Sequence, residues 1–426
     1  MNLAGLKTIF YHYFLFFVRD EKESIETKTR KDFRAPLCVC LCWRKTLFTT
    51  TLSRQVRQLN RQMNESADDV IVTERVRNVV IWPTDTVDID HNCSTAHSAS
   101  DNNTFSDYPH TIIIFFPGNP GLAGWYVPSL QYLVQQCGKG FAARAISYAG
   151  HGTSDDIADV EKWQSRKKER DTDIPFTVDG QIVHKSAYMD MLDADMKERA
   201  KSMGLSNPKP PRYIFMAHSI GCHMIQRLLV LRPDILRRTD LVLYITPFNR
   251  MKSDRWSEFL LFRASSMPDF AINHAQGLMR LLSSFPVHVL DTLIKGDIKC
   301  DKGRKITVDL LQQPHFGRNF FELGTEEVRD LPEIIDACAF RVIGKHCPTC
   351  ILYVGNDKWA REFHISDIKE LQARGVIPKN IHTTHLPQLV HDYIVRPEMV
   401  THVDEFCLDA IQEHVLQARK QPQSRL

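Results

Sequence analysis

The sequence YIFMAHSIGC, Tyr213 to Cys222, decides the fold of this chain. An apolar stretch of the length of a strand, Tyr213 to Ala217, runs into a small-x-Ser-x-Gly turn around Ser219, and an amphipathic helix pattern follows. A serine at a tight strand-to-helix turn is pushed out of the sheet, where it can meet a base. Such a turn brings backbones close together, so its flanking positions, here Ala217 and Gly221, must be small. The alternative interpretation is that Ser219 only caps the helix.

Strand and helix patterns alternate on both sides of this turn. Strands are predicted at Thr111–Phe116, Phe141–Tyr148, Tyr213–Ala217, Leu241–Thr246, Thr349–Val354 and Asn380–Thr384. Helices are predicted at Val127–Gln136, Gln181–Ser202, Ile365–Arg374 and Pro397–Gln417. Because the strands read as buried on both faces, the alternation predicts an α/β protein with a mostly parallel, doubly wound sheet and helices on both faces.

The segment Pro247–Lys345 interrupts this alternation between two core strands and predicts an inserted helical cap. It is rich in large apolar residues, most densely between Phe259 and Ile294, in a pattern that suits short amphipathic helices. Two interpretations stay open: all of this apolar surface packs as core, or part of it faces a lipid surface. Periodicity in one sequence does not show which face is wet.

The patterns divide the chain into five parts. These are 1–65, an N-terminal extension that is disordered or anchoring; 66–246, the first part of the core; 247–345, the apolar cap; 346–418, the second part of the core; and 419–426, a polar tail. Val70–Trp82 predicts a first hairpin, His91–Tyr108 a polar loop, and Asp155–Asp173 a solvated insertion.

Composition narrows the class of protein. With 54 Lys and Arg against 51 Asp and Glu, the net charge of +3 is too balanced to suggest nucleic-acid binding. The 11 cysteines have no framework spacing and are typical of reduced, intracellular thiols. The apolar run Ile9–Val18 is too short for a convincing membrane span, and an interfacial anchor, a presequence and an unstructured leader remain alternatives.

A serine hydroxyl group needs a histidine to take its proton and an acid to orient that histidine. In this kind of fold the partners follow in the order Ser, acid, His, each just past the end of a strand. Asp357 directly follows the strand Ile351–Val354, and His391 follows the last strand in a loop. The alternatives are an aspartate that only shapes its turn and a structural histidine.

An oxyanion hole needs two backbone N–H groups that point at the developing charge. One is expected from Ile220, directly after the serine. The other is expected from the loop Pro117–Gly121, where Asn119 is the best candidate because Pro120 has no N–H group. Gly118 and Gly121 let this backbone approach a substrate closely.

Six motifs together resemble the lipid droplet-associated hydrolases of the α/β-hydrolase superfamily. They are FFPGNPGLAGWY (Phe115–Tyr126), SYAGHG (Ser147–Gly152), GQIVHK (Gly180–Lys185), AHSIG (Ala217–Gly221), GNDKW (Gly355–Trp359) and LVHDYIV (Leu389–Val395). The PGNPG loop and QIxHK are the specific ones, and the resemblance covers about residues 70 to 415. It implies an α/β-hydrolase fold with Ser219 as nucleophile, Asp357 as acid and His391 as base, in agreement with the residues' own pattern. Two departures are Ala217 for the usual first glycine of the turn, beside His218, and Asp392 for a small residue after the histidine.

The resemblance also implies association with lipid droplets and the cytosolic face of the endoplasmic reticulum, and an ester substrate such as a sterol ester. The leading hypothesis is therefore a serine ester hydrolase of neutral lipid esters, with no metal or organic cofactor. Contact with the droplet or membrane surface is expected through Phe259–Ile294. A second hypothesis is a hydrolase-fold scaffold protein of lipid droplets, weakly active or inactive, that promotes lipid storage. A third is a small-ester hydrolase with an ordinary packed cap.

Overall fold

Eight strands form one sheet in the part of the chain that the structure describes. The computed structural model describes residues 86–90, 97–98, 108–151, 177–250, 277, 279–296, 298–313, 316–355, 357, 359–360 and 363–420. The strands are β1 Thr86–Asp90, β2 His97–Ser98, β3 Thr111–Phe116, β4 Phe141–Ile146, β5 Arg212–His218, β6 Thr239–Ile245, β7 Thr349–Val354 and β8 Ile381–Leu386.

The sheet has the order β2-β1-β4-β3-β5-β6-β7-β8. The strands β3 to β8 are parallel to one another. Strand β1 pairs antiparallel with both β4 and β2. The mostly parallel sheet predicted from the alternation of patterns is confirmed. Because parallel strands all end at one edge, the segments that follow β3, β5, β7 and β8 meet there.

Helices cover both faces of the sheet. The longer ones of the core are α1 Val127–Cys137, α2 Val178–Ser202, α3 Ile220–Leu231, α8 Ala337–Gly344, α9 Phe363–Ala373 and α10 Pro397–Ile411; α4 Pro233–Leu236 is a single turn. Alternate side chains of β3 divide between the two faces: Ile112 and Ile114 pack with α2 and α3, whereas Ile113 and Phe115 pack with α1 and α10. All six residues of β3 are buried, as expected for a central strand with helices on both sides.

Between β6 and α8, the described part of the predicted cap includes three helices of eight or more residues. They are α5 Val287–Ile294, α6 Asp301–Leu311 and α7 Phe316–Asp330. Their inward side chains, with Met279 and Leu282, form a hydrophobic cluster of their own. Leu281 and Val287, in contrast, are 49% and 54% exposed. The apolar surface of the described cap is therefore mostly internal, and Phe259–Phe270 lies outside the described residues.

The structure differs from the sequence interpretation at several boundaries. The polar stretch predicted as a loop contains β2, because His97 and Ser98 pair with Asp88 and Val87. Strand β4 ends at Ile146 rather than Tyr148, because the Tyr148 N–H group bonds to Gly121 O at 2.9 Å instead of the neighbouring strand.

At the carboxyl end, α10 continues through a π turn, Gln412–Leu416, into α11 Gln417–Lys420. Arg419 donates hydrogen bonds to Thr111 Oγ1 and Asp240 Oδ2, so the helix extends into the predicted polar tail. The predicted Val70–Trp82 hairpin and the N-terminal extension lie outside the described residues, and the five-part division remains a prediction. None of the helices in the described ranges combines the length and the apolar character needed to span a membrane.

Candidate active site

Ser219 occupies the turn between β5 and α3 in a strained backbone conformation. Its φ is +54° and its ψ is −127°, a region that residues with a side chain rarely adopt. The Ser219 side chain makes no capping hydrogen bond to α3, so the helix-cap interpretation does not describe it. The turn instead lifts the hydroxyl group to the edge of the sheet where the parallel strands end.

Two glycines allow this turn to pack against the loop after β3. A methyl group at Gly221 would lie 2.5 Å from Phe116 O and 2.6 Å from Pro117 O. A methyl group at Gly118 would lie 2.9 Å from the Cβ atom of Ser219. The third small position, Ala217, is fully buried in β5, so its methyl group fits where a glycine is usual.

His391 lies within hydrogen-bond distance of both Ser219 and Asp357. Its Nε2 atom is 2.9 Å from Ser219 Oγ, and its Nδ1 atom is 2.8 Å from Asp357 Oδ2. The three side chains come from loops after β5, β7 and β8, so the parallel topology brings them together across 172 residues of sequence. The arrangement gives the serine a proton acceptor, and gives the histidine an anionic partner on its far side.

The Asp357 carboxylate is held by three groups around it: the His391 ring and two backbone N–H groups. Oδ1 accepts hydrogen bonds from the backbone N–H groups of Trp359 at 2.7 Å and Ala360 at 3.0 Å, and its side chain is fully buried. Burial raises the pKa of Asp357, but the charge of His391 and these hydrogen bonds outweigh it, and the net pKa lies below its ordinary value. Asp357 therefore stays ionised at neutral pH and can stabilise a protonated His391.

The loop Pro117–Gly121 presents a backbone N–H group beside Ser219. The neighbouring N–H groups are engaged: that of Gly118 faces the Tyr126 hydroxyl group at 3.5 Å, and that of Gly121 donates to Gly118 O at 2.6 Å. The Asn119 N–H group has no hydrogen-bond partner among the described residues. Ile220 is the first residue of α3, where N–H groups have no acceptor within the helix. Both predicted oxyanion donors therefore have unused N–H groups.

The segment after β4 holds this loop by its carbonyl groups. The Tyr148 hydroxyl group donates to Pro117 O, the His151 Nδ1 atom lies 2.6 Å from Pro120 O, and the Tyr148 N–H group donates to Gly121 O. Behind it, the Gln181 side chain bonds both backbone groups of Ala149 at 3.0 Å. Three of the loop's carbonyl groups are therefore held by hydrogen bonds to the segment after β4, which fixes the position of the loop beside Ser219.

Lys185 completes this support from the second turn of α2. Its ammonium group is fully buried and donates to Ser147 O at 2.5 Å. Burial holds the pKa of Lys185 well below its ordinary value. The SYAGHG and GQIVHK motifs thus serve the loop after β3, a role that neither motif reveals in isolation.

His218 connects the two sides of the site. Its Nε2 atom lies 2.9 Å from the backbone oxygen of His391, and its Nδ1 atom lies 2.7 Å from the Tyr126 hydroxyl group. A carbonyl oxygen only accepts, so Nε2 carries the proton and Tyr126 donates to Nδ1. Burial, with the nearby His391, lowers the pKa of His218 to about 3, so the ring stays neutral. The sequence interpretation placed His218 in the turn, but assigned no role to Tyr126.

A cavity of about 80 Å³ opens beside Ser219 and His391. Its walls are mainly apolar and aromatic, and come from the core loops and the cap: Trp125, Tyr126, Phe248, Ile298, Phe320, Trp359, Ile394 and Val395. The polar exceptions include Asn119, Asp392 and Glu327 of the cap helix α7. Burial raises the pKa of Glu327 to about 8, with a smaller opposite contribution from Asn119. Sequence patterns missed Glu327, since it is one of several acidic residues in an amphipathic helix.

Three other histidines of the carboxyl-terminal part, His382, His385 and His402, do not line this cavity. Within the described ranges, no group of three or more His, Cys, Asp or Glu side chains is arranged to hold a metal ion. Cys347 and Cys350 are both buried as free thiols. Burial raises the pKa of each to about 12, so both are neutral thiols rather than metal-binding thiolates at neutral pH.

Comparison with known proteins places these features in a family context. Residues 109–394 match the family described as lipid-droplet associated hydrolase. The lipid droplet-associated hydrolase of Homo sapiens is 22% identical over 303 residues, covering 67% of this chain and 84% of the relative. The relative of the same name from Pongo abelii is 21% identical over 273 residues, covering 62% of this chain and 74% of the relative.

Solved structures with a similar chain course include the peroxisomal alpha-beta-hydrolase Lpx1 from Saccharomyces cerevisiae. It is 13% identical, with a TM-score of 0.46, and the alignment covers 75% of this chain and 81% of that one. The family match spans the loop after β3, the turn at Ser219, and both Asp357 and His391.

Proposed function

Because this chain belongs to the lipid-droplet associated hydrolase family, we propose that it is a serine ester hydrolase that acts on neutral lipid esters. Sterol esters and acylglycerols are the substrates considered, with a role in lipid storage and turnover. The observation that carries the proposal is the continuous set of hydrogen bonds from Ser219 through His391 to Asp357. The unused N–H groups of Asn119 and Ile220 support the same reaction.

In the proposed reaction, Ser219 Oγ attacks the ester carbonyl carbon while His391 Nε2 takes the hydroxyl proton. Asp357 stabilises the resulting imidazolium ion through Nδ1. The negative charge that develops on the carbonyl oxygen is met by the N–H groups of Asn119 and Ile220. Collapse of this intermediate breaks the bond to the alcohol, which leaves with the proton from His391. The acyl group remains on Ser219.

Water completes the cycle. His391, neutral again, removes a proton from a water molecule that attacks the acyl carbon, and the same N–H groups stabilise the second oxyanion. The fatty acid leaves as His391 returns the proton to Ser219 Oγ. The largely apolar walls of the cavity suit the hydrocarbon parts of a lipid ester.

Labelling with a fluorophosphonate probe tests the nucleophile directly. The wild-type protein is expected to label at Ser219, found by mass spectrometry of the modified peptide. Ser219→Ala is expected to abolish labelling while the thermal unfolding temperature stays within a few degrees of wild type. Ser202→Ala is the control, because Ser202 lies at the exposed end of α2. Undiminished labelling of Ser219→Ala would refute the assignment.

We place the protein at the surface of lipid droplets and the cytosolic face of the endoplasmic reticulum, with the cap toward the lipid. The exposed Leu281 and Val287 of the described cap support this orientation. The proposed contact segment, Phe259–Ile294, is described only in its carboxyl-terminal part. Binding to artificial droplets should fall in a Leu281→Ser, Val287→Ser double variant, but not in Val183→Ser, a change of a 41% exposed valine on α2, outside the cap.

A second function has one observation in its favour. The exposed apolar side chains of Leu281 and Val287 on the described cap could contact a lipid surface without any reaction at Ser219, which suits a scaffold whose hydrolase site is weakly active or idle. This alternative predicts that Ser219→Ala preserves droplet binding and lipid storage in cells, whereas the cap variant loses both. Loss of the storage phenotype in Ser219→Ala alone would exclude it.

A further inference from the structure

We propose that Glu327 recognises a hydroxyl group of the substrate, so that the site prefers fatty-acid esters whose alcohol keeps a free hydroxyl group near the ester bond. Partial acylglycerols belong to this chemical class, and sterol esters do not. The inference rests on the proposed hydrolysis at Ser219 and concerns the choice of substrate.

The position of Glu327 is built into the packing of α7 on the loop after β3. Phe320 and Glu327 are seven residues apart, lie on the same face of α7 and both line the cavity. Between them, Gly324 lies against the loop, since a methyl group there would be 3.6 Å from Asn119 Nδ2. The face of α7 that carries Glu327 therefore covers the loop that carries the proposed oxyanion donor.

Two buried polar atoms of this region have no hydrogen-bond partner among the described residues. They are Glu327 Oε1 and Asn119 Oδ1. Glu327 is 7% exposed, and the Asn119 side chain is already used as a donor: its Nδ2 atom donates to Phe320 O at 3.4 Å, and a side-chain hydrogen bond joins Asn119 to the Glu327 carboxyl group. Glu327 Oε1 and Asn119 Oδ1 are the atoms that remain without a partner. Leaving buried polar atoms without partners costs about 1–3 kcal/mol for each group. Such atoms in a mainly apolar cavity indicate a polar group on the ligand.

A hydroxyl group is the ligand chemistry that satisfies both atoms. The raised pKa of Glu327 keeps its carboxyl group protonated at neutral pH, so it can donate as well as accept. Asn119 Oδ1 can only accept. A substrate hydroxyl group can donate to Asn119 Oδ1 and accept from the Glu327 carboxyl group. A hydrocarbon group in the same place would leave both atoms unpaired, and sites built to bind a hydroxyl group discriminate strongly against analogues that lack it.

Two elements other than α7 itself bring groups toward the Glu327 carboxyl group. Asn119 approaches from the loop after β3, and Tyr148 from the segment after β4 is close enough for its own pKa to be raised by Glu327. Along α7, the neighbouring Glu326 faces Arg329 instead, in an ion pair at 2.5 Å. No cation among these groups neutralises Glu327, which favours the protonated form and a neutral ligand.

A matched pair of esters tests the inference. 1-Monooleoylglycerol and propyl oleate share the acyl chain and a three-carbon alcohol, and differ only in two hydroxyl groups. The ratio of kcat/KM for the two esters is measured in the same mixed micelles with the full chain. The wild-type ratio is expected to favour monooleoylglycerol by about tenfold or more. Glu327→Leu should bring the ratio close to one, and Glu327→Gln, which retains hydrogen-bonding groups, should reduce it by less.

Glu326→Gln is the control on the same helix and should keep the wild-type ratio, because Glu326 does not line the cavity. Glu327→Met, which keeps the length of the side chain, replaces the leucine variant if that variant does not fold. A wild-type ratio near one, as expected if only water fills the site, would overturn the inference, and so would an unchanged ratio in Glu327→Leu.

Fluorophosphonate labelling of the same preparations separates the two proposals. Labelling at Ser219 together with equal use of both esters would overturn the role of Glu327 and leave the proposed hydrolase standing. A folded wild-type protein that does not label at Ser219 would overturn both.

Discussion

At Ser219, a hydroxyl group that is a weak nucleophile in water faces the Nε2 atom of His391 at 2.9 Å. The partner on the other side of that ring, Asp357, has no exposed side-chain surface and a lowered pKa. The residue beside the serine, His218, is held neutral by burial and bonds to the backbone of His391. At neutral pH Asp357 is therefore ionised and His218 is neutral, and both states suit hydrolysis of an ester.

The pKa of Asp357 leads to a prediction about stability and pH. Its pKa in the folded state lies below the ordinary value of 3.8, so its ionised form stabilises the fold above pH 3.8. That contribution is lost as the pH falls through the folded-state pKa. We expect the difference in free energy of unfolding between wild type and Asp357→Asn to be largest near neutral pH and to shrink below pH 3.8.

Urea unfolding at several pH values measures this difference. Asp404→Asn is the control, because the change of stability with pH should have the opposite sign there: burial raises the pKa of Asp404 to about 7. Wild-type Asp404 should therefore destabilise the fold increasingly as the pH rises from about 4 to 7. A gap between wild type and Asp357→Asn that widens on acidification would contradict the account.

The hydroxyl group of Tyr126 provides a second prediction. It donates to His218 Nδ1 at 2.7 Å, and Tyr126→Phe leaves that buried atom without a partner at a cost of about 1–3 kcal/mol. We expect a lower thermal unfolding temperature in Tyr126→Phe. We also expect kcat to fall by about tenfold with little change in KM, because the His218 ring aligns the loop of His391 and does not bind the substrate. Tyr393→Phe is the control, because Tyr393 contacts the same ring edge-to-face. Equal kcat losses in both variants would contradict a specific role for the Tyr126 hydroxyl group.

At the scale of elements, the site depends on how closely β5, α3 and the loop after β3 approach one another. The two carbonyl groups nearest to Gly221 belong to residues 116 and 117, so α3 starts against the backbone that begins the oxyanion loop. The same loop is bonded to the segment after β4 and covered by α7. Helix α3, the segment after β4 and helix α7, which are distant in sequence, therefore all hold the loop after β3.

Gly221→Ala tests this packing. Its added methyl group would lie 2.5 Å from a backbone oxygen, and such overpacking costs about 1–3 kcal/mol or more when backbone has to move. We expect a lower free energy of unfolding and loss of fluorophosphonate labelling. Gly296→Ala is the control, because a methyl group there meets no atom within 4 Å. Full labelling and wild-type stability of Gly221→Ala would show that the contact is not needed.

Local sequence patterns predicted the bounds of an element well where the element is one continuous buried run. Strand β7 has the predicted bounds, because Thr349–Val354 is a continuous buried run between turn residues. Strand β8 runs to Leu386, whereas the prediction ended at Thr384. The strand lies at the edge of the sheet, and Ile381 is its only buried residue. An edge strand has no continuous apolar signal by which to recognise its end.

At the scale of the molecule, chain order and strand ends were sufficient to predict that Ser219, Asp357 and His391 meet, because parallel topology brings strand ends to one edge. The contacts of Tyr126 with His218 and of Asn119 with α7 join segments 92 and 201 residues apart. No local pattern encodes such encounters, which arise from how the cap and the loops pack. This is why the sequence predicted the reacting groups but not the residues that support them or shape the cavity.

The walls of the cavity beside Ser219 come from the core loops and from described cap residues such as Ile298 and Phe320. We expect the ester group to enter this cavity, and the acyl chains to extend along the cap toward the proposed lipid contact. In this arrangement the substrate would be reached at the droplet surface, and hydrolysis would depend on both Ser219 and the cap.

Release of fatty acid from artificial lipid droplets tests the central claim most directly. Droplets are prepared with radiolabelled cholesteryl oleate, triolein or dioleoylglycerol, and free oleate is measured with wild-type protein and with Ser219→Ala at equal amounts of droplet-bound protein. The account predicts release of oleate by wild type from at least one of these esters, and none above background by Ser219→Ala. Bound, folded wild-type protein that releases no oleate from any of them, or release that persists in Ser219→Ala, would contradict it.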